Sequence, residues 1–417
     1  MAQKIRFKNF LFLSIILMLQ TKLYGQYLPS DWESTTMLGR GNAVTAWAND
    51  GAGLFYNPAG LSLLRNRHSN QKLNDSRSPL PDEIQANNQM LSQTPNNPSN
   101  WPQKMLDGAK QNLNQPSYFN IQAFPYVVFG GKNTPAILIG IPVRSENSAI
   151  FVDTSNPQNA SINSINTVSA AIGIANASLS GGFRWGLSVR PNYRIQYKTE
   201  TYNDIGNLSA SDYVKNINNL GVKSSAIALD AGVMFTLSDY WFPTFALSVL
   251  NIPTGCNNNY VDPITYKVEK MCGTPRAGAS NSTWNESQID PTEVRAGVAV
   301  TPRGRIGKMM IDLRLSADIY PIPISTNGSY YGISSLDSAN LVHAGAELFF
   351  GNALNKSSFA LRGGYMNQAE TWGGSVNIYF FDLGYSSYVV NSAVQDATNT
   401  ITKYTERRQS LYLDWSF

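Results

Sequence analysis

The sequence predicts an all-β fold: a transmembrane antiparallel β-barrel of about 14 strands. Three observations carry this. Charged residues make up only 14% of the chain while aromatics reach 11%, with 21 Tyr and 8 Trp; a soluble domain carries about 25% charge. Mean hydropathy is −0.23, and after residue 25 no apolar run approaches the roughly 20 residues of a spanning helix. Long stretches alternate apolar and polar residues, as strands do when one face meets lipid and the other a lumen. The net charge of +4 is too small to argue for nucleic-acid binding.

The chain start reads as a cleaved secretory signal over residues 1–25. Lys4, Arg6 and Lys8 form a basic start, Phe10 to Leu19 is the apolar run, and cleavage is expected near Gly25–Gln26. Cys256 and Cys272 fit an oxidising compartment.

Residues 26–60 follow as a distinct unit. Leu38 to Leu61 is rich in Gly and Ala, which let other atoms approach closely. Its anchors are Trp47, Phe55 and Tyr56, and Asn57-Pro58 is a turn dipeptide. The order of residues is more specific: Gly39-x-Gly41, then Trp47, Asn49 and Asp50, then Phe55, Asn57, Pro58 and Ala59. This order resembles the N-terminal plug, or hatch, of FadL-type outer-membrane transporters of hydrophobic compounds and of their PorV-type relatives. Asn57, Pro58 and Ala59 match the Asn-Pro-Ala element of that family. The resemblance implies a Gram-negative outer-membrane location and a hydrophobic small-molecule ligand, long-chain fatty acid-like or aromatic. It equally admits a PorV-like barrel that scaffolds or shuttles exported proteins.

The barrel is expected over residues 61–417. In Phe183 to Lys198, Phe183, Trp185, Leu187, Val189, Tyr193, Ile195 and Tyr197 alternate with Arg184, Ser188, Arg190, Asn192, Arg194 and Lys198. Met309 to Tyr320 repeats the pattern, as do Ser225–Phe235, Val294–Val300, Val342–Phe350 and Phe359–Tyr365. These lengths exceed the usual 5–6 residues of soluble strands. Thirteen candidates run over about 118–129, 133–144, 164–178, 180–198, 222–237, 242–253, 293–302, 308–320, 340–350, 356–366, 371–380, 381–391 and 403–416. Bacterial barrels have an even number of strands, so one more is placed directly after the plug, at about 61–73. The FadL resemblance implies the same total. Residues 74–117 then become the first long outer loop, read either as a lid or as a polar insert. The last strand alternates to Trp415 and ends on Phe417, which resembles the signal read by the barrel-assembly machinery. The expected partners are therefore that machinery, outer-membrane lipid and the hydrophobic ligand, with the barrel acting as a monomer.

No catalytic set stands out, so the chain is read as a non-enzyme without cofactor or metal. His68 and His343 are its only histidines, and neither is placed beside a Ser nucleophile. The predicted lumen carries Arg184, Arg190, Arg194, Asp230, Glu293, Arg295, Asp312, Arg314, Asp318, His343, Glu347 and Arg362. Such charges must be paired or solvated. They read either as a network holding the plug or as a polar conduit with Arg190 or Arg194 as a carboxylate partner. Cys256 and Cys272 lie in the outer loop 254–292, where a disulfide between them would contribute about 3 kcal/mol. Gly140 and Pro142 mark a candidate wall kink in the third strand. The FadL family opens its wall there, whereas the alternative is that Pro142 simply ends the strand.

Overall fold

The computed structural model describes residues 32–48, 50–64, 73–76, 83–91, 100–130, 134–151, 160–199, 210–237, 241–262, 267–278, 289–307, 309–333, 338–352, 357–378, 381–395 and 401–415. Among the described residues, fourteen antiparallel strands close into a barrel. They are β1 (Leu73–Ser76 and Glu83–Asn87), β2 (Ser117–Ala123 and Tyr126–Phe129), β3 (Ala136–Gly140 and Val143–Phe151) and β4 (Ala160–Ser169 and Ala171–Ala177). Next come β5 (Phe183–Thr199), β6 (Val222–Thr236), β7 (Thr244–Leu250), β8 (Glu293–Val300 and Arg303–Ile306) and β9 (Met309–Ile319). The circuit ends with β10 (Val342–Asn352), β11 (Ser357–Met366), β12 (Ala369–Ile378), β13 (Phe381–Gln395) and β14 (Ile401–Trp415). Pairing of Ile84 with Leu411 joins β1 to β14 and closes the sheet.

The wall has its polarity reversed relative to a soluble protein. Leu187, Ile227, Phe245, Leu247, Ile319, Leu361, Trp372 and Leu411 are exposed, while Arg190, Asp230, Ser248, Arg295, Asp318, Glu347 and Ser410 are buried. Exposed apolar residues alternating with buried polar ones are what a barrel surrounded by lipid requires.

The first strand departs from the sequence expectation. Residues 61–63 belong to a 3-10 turn, Pro58–Leu63, with Leu61 packed into the apolar cluster around Phe124. The strand instead lies within 73–87, inside the stretch expected to be outer loop. Its Asn, Asp and Gln content reads poorly as β, but β2 and β14 offer it backbone ladders on both sides. Tertiary pairing of this kind outweighs local preference. The loop proper starts after Asn87. It carries the helix α1 (Trp101–Gln111), with Pro102 in its first turn and Met105, Leu106 and Ala109 buried. A second helix, α2 (Ala210–Leu220), joins it through Tyr213 and Ile217 in a cluster with Phe119, Phe151 and Tyr197.

β3 likewise extends past the expected 144 to Phe151, because the polar run Arg144–Ser148 pairs with both β2 and β4. The loop 254–292 is not irregular either. Gly255–Val261, Val268–Pro275 and Ile289–Pro291 form a small sheet with Ile324–Thr326 and Ser329–Tyr331. In that sheet Cys256 pairs with Cys272 in register and is disulfide-bonded to it. Residues 1–31, His68, Asn49, Phe417 and the Trp415 side chain lie outside the described residues.

Candidate functional site: the lumen and its N-terminal segment

Residues 32–64 are nearly all buried, and their contacts reach strands around the whole wall. The segment has little regular structure: a helical turn at Thr35–Leu38 and 3-10 turns at Gly51–Phe55 and Pro58–Leu63. Each 3-10 turn has a side-chain cap. Asp50 accepts from the Gly53 N–H at 3.1 Å, and Asn57 from the Ala59 N–H at 3.0 Å, with Pro58 in the first helical position. The Asn57 amide also donates to the Thr45 carbonyl at 2.9 Å and to the wall carbonyl of Val233 at 3.3 Å.

Because the segment runs without strand pairing, its backbone polar groups need side-chain partners. The wall supplies them. Asp318 accepts the N–H groups of both Val44 and Thr45. Thr371 accepts from the Gly41 N–H at 2.9 Å and donates to the Gly39 carbonyl at 3.2 Å. Ser316 donates to Ala43 O, Tyr320 to Asn42 O and Ser248 to Tyr56 O. His343 meets Gly41 O through Nδ1 at 3.1 Å and stacks on Tyr320. Gln85 and Gln122 both donate to the Glu33 carbonyl.

Three wall arginines clasp the aromatic anchors. The Arg190 guanidinium lies 5.3 Å from the Phe55 ring, Arg295 5.1 Å from Tyr56, and Arg314 5.0 Å from Trp47. Each is anchored by a carboxylate: Arg190 by Asp230 at 2.7 Å, Arg295 by Glu293, and Arg314 by Glu347, which Arg362 shares at 2.6 Å. A desolvated contact of this kind contributes about 2 kcal/mol. Asp312 meets Arg314 at 3.4 Å. Arg184 donates to Thr236, and Arg194 pairs with Asp290 of the disulfide-bearing loop at 3.0 Å. Arg40, from the segment itself, is buried, and burial lowers its pKa against the pull of Glu347. Among the described residues no group of three His, Cys, Asp or Glu is placed to hold a metal ion.

Close approach is made possible by glycines in the wall. Gly173, Gly186, Gly232, Gly297, Gly345 and Gly364 come from six different strands. A Cβ at each would collide with the segment, at distances from 1.9 Å (Asn57 Oδ1 at Gly232) to 2.9 Å (Thr45 Cβ at Gly297). Gly41 itself has φ +64°, and a Cβ there would lie 2.4 Å from Ala344 O, so glycine is required for both conformation and space. Sequence reasoning missed the wall glycines, Thr371, Ser248 and Tyr320. The available signal was that these glycines sit at the polar phase of their strands.

Gly140 ends the first half of β3, and Pro142 sits in the interruption that follows. The register is the same on both sides: Ala123 opposes Val143, and Tyr126 opposes Gly140. Ile141 N–H donates to Pro125 O, and Ser169 N–H to Pro142 O. Phe124, beside this interruption, packs at 5.5 Å from Trp32 and 5.2 Å from Phe55.

No protein-family model matches the chain, and no curated protein matches it by sequence. Solved structures do match by shape. A TodX monoaromatic hydrocarbon channel variant superposes with a TM-score of 0.50 at 11% identity, covering 92% of this chain and 98% of that one. The toluene transporter TodX of P. putida gives 0.43 at 11% identity over 93% and 99%, and the monoaromatic hydrocarbon channel CymD gives 0.44 at 8% over 92% and 97%. The chain has a FadL-type fold, a closed fourteen-stranded antiparallel barrel.

Proposed function

We propose that this protein is an outer-membrane channel for hydrophobic small molecules, in which the N-terminal segment acts as a plug that controls passage. The observation that carries this is the way the segment is held. It occupies polar and aromatic contacts around the wall, yet its described residues share no strand ladder with it, so it can leave without unpairing the barrel. The fold match to a monoaromatic hydrocarbon channel supports the same reading. On this reading the barrel works as a monomer, exported by its N-terminal signal and inserted by the barrel-assembly machinery, with lipid against its apolar outer face. The test is uptake of labelled monoaromatic and long-chain fatty-acid probes by cells lacking and carrying the protein. Uptake above the deletion strain is expected, and equal uptake of every probe would contradict the channel.

A PorV-like scaffold is the second reading. The paired lumen arginines and the unbroken β2–β3–β4 register favour it. It predicts that deletion leaves uptake intact and instead lowers the amount of other exported proteins at the cell surface.

A further inference from the structure

Among the described residues of the segment, Glu33 is the one acidic side chain aimed at the wall between β1–β3 and β13–β14, next to Trp32. Its backbone is held firmly, since its carbonyl accepts from Gln85 and Gln122, the latter at 2.8 Å. Its carboxyl is not. The side chain is 0% exposed, and neither oxygen has a partner in good hydrogen-bond geometry, the Gln85 side chain being only a weak donor to it. The nearest cation, Arg144, stands 3.9 Å away and is engaged by Glu146 at 2.8 Å. The other ionisable groups facing it are Tyr118 of β2, Tyr388 of β13, and Arg408 of β14, which is itself paired with Glu406. A buried carboxylate with so little hydrogen bonding is unfavourable, whereas the neutral acid is tolerated.

We propose that Glu33 is a proton-controlled latch: the neutral acid seats the first turn of the segment in the lumen, and the carboxylate releases it, withdrawing Trp32 from Phe124. Trp32 stacks on Phe55 at 5.4 Å and packs on Phe124, so it reports directly on the seat. Burial pushes the Glu33 carboxyl up to about 7, against the pull of Arg144. A raised carboxyl pKa means that the docked state favours the proton. Its contribution to docking is complete below the ordinary carboxyl range and is lost as pH rises through about 7. Between about pH 5 and pH 8 docking should weaken on the order of a hundredfold.

The latch rests on the plug reading, and two readouts separate them. In 5-fluorotryptophan-labelled protein in detergent, the ¹⁹F resonance of Trp32 is assigned by its loss in Trp32→Phe. It should change between about pH 6 and pH 8 in the wild type and hold its low-pH position throughout in Glu33→Gln. Glu33→Asp, which keeps a titrating group, should move the midpoint to lower pH. A wild-type resonance that does not change, an equal change in Glu33→Gln, or an unshifted midpoint in Glu33→Asp would overturn the latch. Planar-bilayer conductance over the same range tests the plug. A Trp32 transition with no change in conductance would leave the latch standing and remove the plug from control of passage.

Discussion

Replacing Asn57 by Ala separates the docking of the segment from the stability of the wall. Asn57 is fully buried and makes three hydrogen bonds: amide to Thr45 O, amide to Val233 O, and Oδ1 from the Ala59 N–H. Each buried bond contributes about 1 kcal/mol net. The Thr45 and Ala59 bonds lie within the segment, so the Val233 bond, about 1 kcal/mol, is the part lost from docking. Since about 1.4 kcal/mol is tenfold, the undocked population should rise about fivefold. The wall should not notice, because the ladder between β5, β6 and β7 involves no Asn57 atom. The assay is single-channel recording in planar bilayers, with heat-modifiability on gels as the check on barrel integrity. Frequent openings from a barrel that melts like the wild type are expected. An opening frequency no higher than that of the wild type would refute this, since losing about 1 kcal/mol of docking is a roughly fivefold shift.

Gly232→Val should act on the same contact from the wall side, because its Cβ falls 1.9 Å from Asn57 Oδ1. Overpacking costs about 1–3 kcal/mol, and protease sensitivity of the N-terminal segment in the folded barrel should increase. Cys272→Ser should loosen only the small outer sheet, by about 3 kcal/mol at most. Proteolysis should then cut within 255–291 while the barrel retains its mobility shift on gels.

Much of the wall was legible because one physical rule governs it. Leu187, Val189 and Tyr193 alternate with Ser188, Arg190 and Asn192, and lipid on one side forces that alternation. The same rule failed for β1, where Gln85 and Asn87 are buried and backbone pairing on both sides makes the strand. It failed again at Arg144–Ser148, a polar run that looks like a loop until both neighbours pair with it. The lumen charges were legible as a set, but their partners were not. Nothing local ties Arg190 to Phe55 or Arg194 to Asp290, because the barrel's closure brings them together. The wall glycines were hidden for a different reason. In a strand, Gly232 reads as a weakness, and only the docked Asn57 shows the space it provides.

The most direct measurement pins the segment to the wall. Gly39 has helical backbone angles (φ −62°, ψ −21°), and a Cβ there lies 3.4 Å from Ser386 Cβ on β13, close to the roughly 3.5–4.5 Å of a disulfide. Cells carrying Gly39→Cys with Ser386→Cys are assayed for uptake of a hydrophobic probe under oxidising conditions and after reduction, with the wild type under the same reductant as control. A movable plug predicts uptake at the level of the deletion strain when oxidised, recovering on reduction, with the wild type unchanged. Equal uptake by the cross-linked and reduced protein would show that hydrophobic molecules pass without the segment moving.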